Sequence, residues 1–269
     1  MVQIPIKKLL IEQEVENKQR PQDLRSYIGM SGIANNCERK IWNDFRWIKK
    51  KSVTPRVQRL LSRGHNEEPI IIRDLEEIGI KVYGLQERLV CGHGHIRGHT
   101  DGIAIGIPDA PKTEHLLEFK TANDKNFKKF VKENNLEKAH SLYYGQVCCY
   151  MYMLKLTRCL FIVVNKNTDE RYYERVDCNN DHAIFLFSRA ENILQKEEPP
   201  QKIGGANWFE CKFCDYYDIC HYNEPINKSC RSCKFFDICE NGKFECSKHD
   251  IELATQQQHN ICKHFVQFF

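Results

Sequence analysis

The chain has 269 residues, 40 Lys or Arg against 36 Asp or Glu and a net charge of +4, enough length for a full core in one larger domain with a small appendage. No apolar run reaches the roughly 18 residues that a membrane-crossing helix needs, and the opening MVQIPIKKLLIEQEVENK lacks the apolar stretch and cleavage site of a signal peptide. A soluble protein of the cytoplasm, in a bacterial or phage-infected cell, is therefore expected, and its 14 cysteines then point to metal sites in a reducing compartment rather than to disulfides.

The charge is unevenly spread: the first 60 residues carry 13 Lys or Arg against 6 Asp or Glu, a surplus of +7 that leaves −3 for the rest. A basic front end suits a polyanion such as nucleic acid; a solvated helical face is the alternative. Residues 1 to about 30 are polar with weak helical periodicity, and a turn at Tyr27–Ile33 then leads into a short helix that carries Cys37 and Arg39. Apolar residues at helical intervals predict a helix over Pro55–Glu77, interrupted at Gly64–Pro69. His65 and Glu68 share a helical face there, while Glu67 is turned about 100° away.

Strands are expected at Lys81–Tyr83, Glu87–Cys91 and Ile96–Ile107, with Gly92–His95 as a hairpin turn whose His93 and His95 are exposed and outside any site. Asp101 falls in the last of these strands, where Gly98 and Gly102 permit another chain to approach closely. Leu116–Lys120 reads as a buried strand. Its alternation puts Glu118 and Lys120 on one face and Leu117 and Phe119 on the other. A lysine-rich helix follows at Asn126–Glu137, facing solvent or nucleic acid, and then an apolar, aromatic helix at Ala139–Leu156. Gln146 and Tyr150 lie four apart on that helix, and Gly145 allows close packing. A buried glutamine needs partners, either backbone groups or a metal-bound water or phosphate. Cys159–Asn165 and Arg171–Val176 are a strand pair, and an amphipathic helix over Asp181–Gln195 ends before Glu197–Pro200.

Asp101 and Glu118 supply the oxygen ligands that hard divalent cations prefer, and Glu68, with His65 beside it, is the candidate to complete the shell. Lys120 is placed to orient a water or to neutralise charge on a phosphoryl group. Without that company, Glu–x–Lys is more simply a solvated strand edge with a surface ion pair.

The C-terminal region repeats one pattern with an offset of 19 residues: CKFCDYYDIC from Cys211 to Cys220 and CRSCKFFDIC from Cys230 to Cys239. Cys211, Cys214 and Cys220 are one thiolate short of what tetrahedral zinc or a cubane iron–sulfur cluster wants, and Cys37 is the candidate fourth. In the second copy Cys230, Cys233 and Cys246 have zinc-like spacing, with Cys262 preferred over His249 as fourth ligand and Cys239 left over.

The acids in the Arg63–Pro69 stretch, Asp101 in Gly–His–Thr–Asp–Gly, Glu118–Phe–Lys120, Gln146–x3–Tyr150 and the four cysteines 37, 211, 214 and 220 resemble the PD-(D/E)xK nuclease superfamily. The RecB-type exonuclease domains with an iron–sulfur cluster are the most similar group. The CRISPR-associated adaptation nucleases, AddB-type subunits and lambda-exonuclease-like viral nucleases belong beside them. The resemblance implies an α/β fold with a restriction-endonuclease-like core, a mixed central sheet flanked by helices, over residues 1–222; the tail over 223–269 lies outside that family and resembles the small cysteine-rich zinc-binding modules appended to bacteriophage proteins. The nuclease resemblance implies Mg²⁺ or Mn²⁺ held by Glu68, Asp101 and Glu118 with His65 near, Lys120, Gln146 and Tyr150 acting on water and phosphate, and a [4Fe–4S] cluster on Cys37, Cys211, Cys214 and Cys220. The activity implied is that of a DNA exonuclease on single strands or duplex ends, in recombination, repair or phage DNA processing, with DNA as partner and room for a helicase partner or an oligomer. A catalytically silent binding protein on the same fold is the alternative.

Overall fold

The computed structural model describes residues 6–18, 20, 21 and 24–268. After an N-terminal helix at Ile6–Asn17 come β1 (Ile28–Gly29), α1 (Glu38–Phe45), α2 (Pro55–Glu77), β2 (Lys81–Tyr83), β3 (Arg88–Cys91), β4 (Ile96–His99) and β5 (Gly102–Ile105). They are followed by β6 (His115–Ala122), α3 (Asp124–Glu133), α4 (Ser141–Leu154), β7 (Arg158–Asn165), β8 (Arg171–Asp177) and α5 (Asn180–Leu194). The tail contributes β9 (Phe236–Ile238), β10 (Phe244–Cys246) and β11 (Ile251–Glu252).

The central sheet has the order β8-β7-β6-β5-β2 and is mixed: β6 and β7 run parallel, and every other pair is antiparallel. β6 and β7 are largely buried on both faces, as a central parallel pair is, and the return between them is made by α3 and α4. The alternation predicted for β6 holds. Leu117 and Phe119 join Ile71 and Leu75 of α2 in one core cluster, whereas Leu116 and Ala122 join Val147, Tyr150 and Met151 of α4 in the other. Glu118 therefore faces α4.

Three expected elements differ. Ile96–Ile107 is two strands in two sheets: β4 pairs with β1 and β3, β5 pairs with β6 and β2, and the chain bends between them at Thr100–Asp101. The Thr100 N–H, bonded to the Glu87 carbonyl at 3.1 Å, extends the β3–β4 register by one pair before the chain turns into the other sheet. α2 runs uninterrupted for 23 residues with Pro69 inside it. Proline forfeits only the bond to the carbonyl of the exposed His65, where water can substitute, so the apolar face on either side carries the helix through. The lysine-rich helix starts earlier and ends sooner than expected, because Asn123 caps it by accepting from the Asn126 N–H at 2.9 Å and Asn134 turns left-handed at φ 44°.

The cysteine-rich tail packs into the same core as the rest of the chain: Phe236, Phe244 and Leu253 cluster with Phe45, Trp42 and Ile96. His95, expected to be exposed in a hairpin tip, is buried between these parts and bonds the Cys239 carbonyl through Nε2 at 2.7 Å. No described helix is long and apolar enough to cross a membrane.

Candidate active site

The break between β4 and β5 decides where Asp101 goes. Released from the ladder, its Oδ2 accepts the Phe119 backbone N–H at 2.6 Å, which seats the carboxyl beside Glu118 on the next strand. Glu118 is 1% exposed, and its Oε1 accepts from the Lys120 ammonium. Its other oxygen, Oε2, is buried with no hydrogen-bond partner. A buried carboxylate oxygen left bare is costly, and a cation is the ligand that would satisfy it.

α4 closes the site from the far side. Gln146 Nε2 donates to the Tyr150 hydroxyl at 3.3 Å, and Gln146 Oε1 is buried and unpartnered. Tyr150 reaches the site because Gly98 has no side chain: a Cβ there would lie 2.6 Å from the tyrosine ring and hydroxyl. The close approach expected of this glycine is thus made by a side chain of α4. From α2, Glu68 Oε1 lies 3.3 Å from His65 Nδ1, and Gln86 Nε2 donates to Glu68 Oε2 at 3.1 Å. Glu67, turned away as the helical spacing requires, pairs with Arg63 at 3.8 Å.

Crowding of like charge sets the protonation of the group. Burial, then the neighbouring Glu118 carboxylate, pushes Asp101 up to about 8, against the pull of Lys120 and the Phe119 N–H. Glu118 is also raised, by burial first and by Glu68, with Lys120 opposing. For Lys120 burial acts downward, but the Glu118 and Asp101 carboxylates outweigh it and hold the ammonium above its ordinary range. Tyr150 is pushed up to about 12 by burial and by Glu118. Three carboxylates against one lysine is a deficit of positive charge that a divalent cation fits. The carboxyl groups do not form a closed shell on their own: among the described residues, no three His, Cys, Asp or Glu groups converge as a preformed metal site.

The cysteines gather in two further places. Cys37, Cys211, Cys214 and Cys220 line one small cavity together with Arg39 and Lys202. Cys230, Cys233, Cys246 and Cys262 line another with His249 and His264, and His249 Nε2 lies 3.7 Å from Cys262 Sγ. Burial and then mutual repulsion raise Cys211, Cys214 and Cys220, and in the second set push Cys230 to about 11. Among the described residues neither thiol set converges as a preformed metal site. A third cavity, lined by Arg25, Lys40, Asp44, Lys51 and Tyr216, shares no residue with the carboxylate site. Its acid, Asp44, is already held by Lys40, Lys51 and Tyr216.

No protein-family model matches the chain, and no curated protein matches its sequence. Among solved structures it is similar to LHK-Exo in complex with dAMP at 12% identity and a TM-score of 0.44, covering 63% of this chain and 86% of that one. It is similar to the alkaline exonuclease LHK-Exo from Laribacter hongkongensis at 15% identity and a TM-score of 0.45 over the same shares, 63% and 86%. A third likeness, to SSO0001, has 14% identity and a TM-score of 0.40 over 80% of this chain and 95% of that one. At these scores the likeness says nothing about the site, whose reading rests on its own geometry.

Two groups at the site lie outside the residues that the sequence pattern nominates. Gln86 sits in a loop with φ 53° and reaches Glu68 only through the fold. Tyr143 presents its ring 4.9 Å from the Lys120 ammonium, one turn of α4 before Gln146. Three residues before Gln146, Tyr143 shares its helical face, and that spacing is the signal the sequence carries for it.

Proposed function

We propose that the chain is a Mg²⁺- or Mn²⁺-dependent DNA nuclease, an exonuclease acting on single strands or duplex ends. The observation that carries the reading is the bare, buried Oε2 of Glu118 beside the charge-starved Asp101, with the Lys120 ammonium on the same edge. A bound Mg²⁺ or Mn²⁺ supplies a water of lowered pKa and a polarised phosphoryl oxygen. Asp101 and Glu118 are the residues to hold it, with Glu68 and His65 completing the shell from α2. Lys120, kept charged by its two carboxylate neighbours, offsets negative charge building on the phosphate. Gln146 Oε1, free to accept, orients the attacking water, and Tyr150 fixes the glutamine by taking one of its amide hydrogens. The sequence resemblance to RecB-type PD-(D/E)xK domains supports the same assignment residue by residue.

The resemblance to the iron–sulfur members supports the metal complement, since the thiolates alone leave zinc and a cluster both open. Cys37, Cys211, Cys214 and Cys220 hold a [4Fe–4S] cluster, and Cys230, Cys233, Cys246 and Cys262 hold Zn²⁺, with His249 as the competing fourth ligand. Anaerobic purification with metal and sulfide analysis should give an iron-to-zinc ratio of about four. The activity is tested with labelled linear and circular DNA. Degradation of the linear form that depends on Mg²⁺ or Mn²⁺, and its loss in Asp101→Ala and Lys120→Ala, is expected; activity retained in either variant refutes the assignment.

A further inference from the structure

The segment that carries Cys211 also carries a set of exposed rings. Trp208 is 50% exposed, Phe209 73% and Phe213 77%, and the last two form a tilted pair with centroids 5.1 Å apart on opposite ends of one helical turn. Trp208 is set against Gly204, where a Cβ would lie 2.6 Å from the indole. Large apolar groups this exposed need a partner, and the surroundings say which kind. The Lys49 ammonium bonds the Asp215 carbonyl at 2.7 Å, which brings the lysine run at 49–51 against the same segment. Lys50, Lys202 and Lys212 carry no ion pair among the described residues. Lys212 lies between Phe209 and Phe213 in the chain and Lys202 lines the same cavity as Cys211, and cations in the neighbourhood of flat aromatic faces complement the two features of an unpaired strand, its phosphates and its bases.

We propose that Trp208, Phe209 and Phe213, with Lys202 and Lys212, form a stacking platform for an unpaired nucleic-acid strand. The rings take bases on their faces, and the lysines meet the backbone. Recognition of this kind tolerates any sequence, because every base has a π-face. The inference rests on the nuclease reading only for the choice of polymer.

The test uses the full chain in EDTA, so that binding is measured without cleavage: anisotropy of a labelled oligothymidylate of about ten nucleotides and quenching of tryptophan fluorescence. Trp208→Ala and Phe213→Ala should each weaken binding by about fivefold to a hundredfold, Trp208→Phe should restore most of it, and Lys202→Gln should lower the salt slope by about one. Affinity unchanged in both alanine variants overturns the proposal. So does a Trp208→Leu protein that binds as well as Trp208→Phe, the result expected of an apolar face for a protein partner. Circular dichroism shows that each variant is folded. A chain that binds but never cleaves with Mg²⁺ leaves this inference standing and removes the nuclease reading; one that cleaves and binds without these rings does the reverse.

Discussion

The protein buries charge in two places and treats it in opposite ways. At the junction of the tail with the body, Arg231 is 0% exposed and has no carboxylate partner among the described residues, yet each of its guanidinium nitrogens has a hydrogen-bond partner. Its Nε donates to the Phe45 carbonyl at 3.0 Å and its Nη1 to Gln258 at 3.3 Å, and the rings of Phe45 and Phe244 face its guanidinium at 4.2 and 4.4 Å. Burial and the neighbouring Arg46 hold its pKa well below the ordinary arginine range. At the carboxylate site, Glu118 is just as deeply buried and is left with one oxygen bare. A charge the fold completes is part of the architecture. At Glu118 the bare oxygen lies among other carboxylates, where a cation fits.

That contrast breaks first at Glu118. Glu118→Gln keeps the shape and removes the charge, so cleavage of labelled DNA should fall by about 10²–10³-fold or more while thermal stability rises, since the variant no longer buries a bare carboxylate. A fall in both would make Glu118 structural, like Arg231. At the other pole, Arg231→Ala should cost about 3 kcal/mol in denaturant unfolding, from the cavity left and the carbonyls of Phe45 and Ser26 deprived of their donor. Next comes Gly98→Ala, which drives a methyl into the Tyr150 ring and should lower activity by up to about 100-fold with metal affinity unchanged. Altered metal affinity in this variant would mean that α4 shapes the carboxylates as well as the water.

The smallest effect is the pH response. Asp101 titrates at about 8 in the fold against an ordinary 3.8, so its protonated form is the one that folding favours. The stability this lends is complete below 3.8 and is lost as pH rises through 8. The cation-free protein should therefore weaken between about pH 4 and 8, and added Mg²⁺ should raise the melting temperature by a few degrees more at pH 8 than at pH 5. Calorimetric scans on Asp101→Asn, which has nothing to titrate there, should show this slope flattened.

Much of this was legible in the sequence because it depends on short periods. Alternation in β6 put Glu118 and Lys120 on one face, a spacing of four put Gln146 beside Tyr150, and the cysteine spacings gathered each thiol set round its cavity. What depends on a partner distant in the chain was not. Asp101 is useful because it sits where the chain leaves one sheet for the other, between the β3 partner of β4 and the β6 partner of β5, neither of which is local to it. His95 and Arg231 look solvent-facing by type and are buried because Phe45, Phe236 and Phe244 arrive from elsewhere. Pattern locates side chains on an element; only packing decides which of them water reaches.

Calorimetric titration of Mn²⁺ or Mg²⁺ into the metal-free chain addresses the carboxylate site most directly, with Asp101→Asn and Glu118→Gln titrated beside it. One divalent ion should bind the wild-type chain at this site, with proton release near neutral pH as Asp101 gives up its hydrogen, and each variant should lose most of the affinity. Equal binding by all three proteins would contradict the reading of Asp101 and Glu118 as a shared cation site.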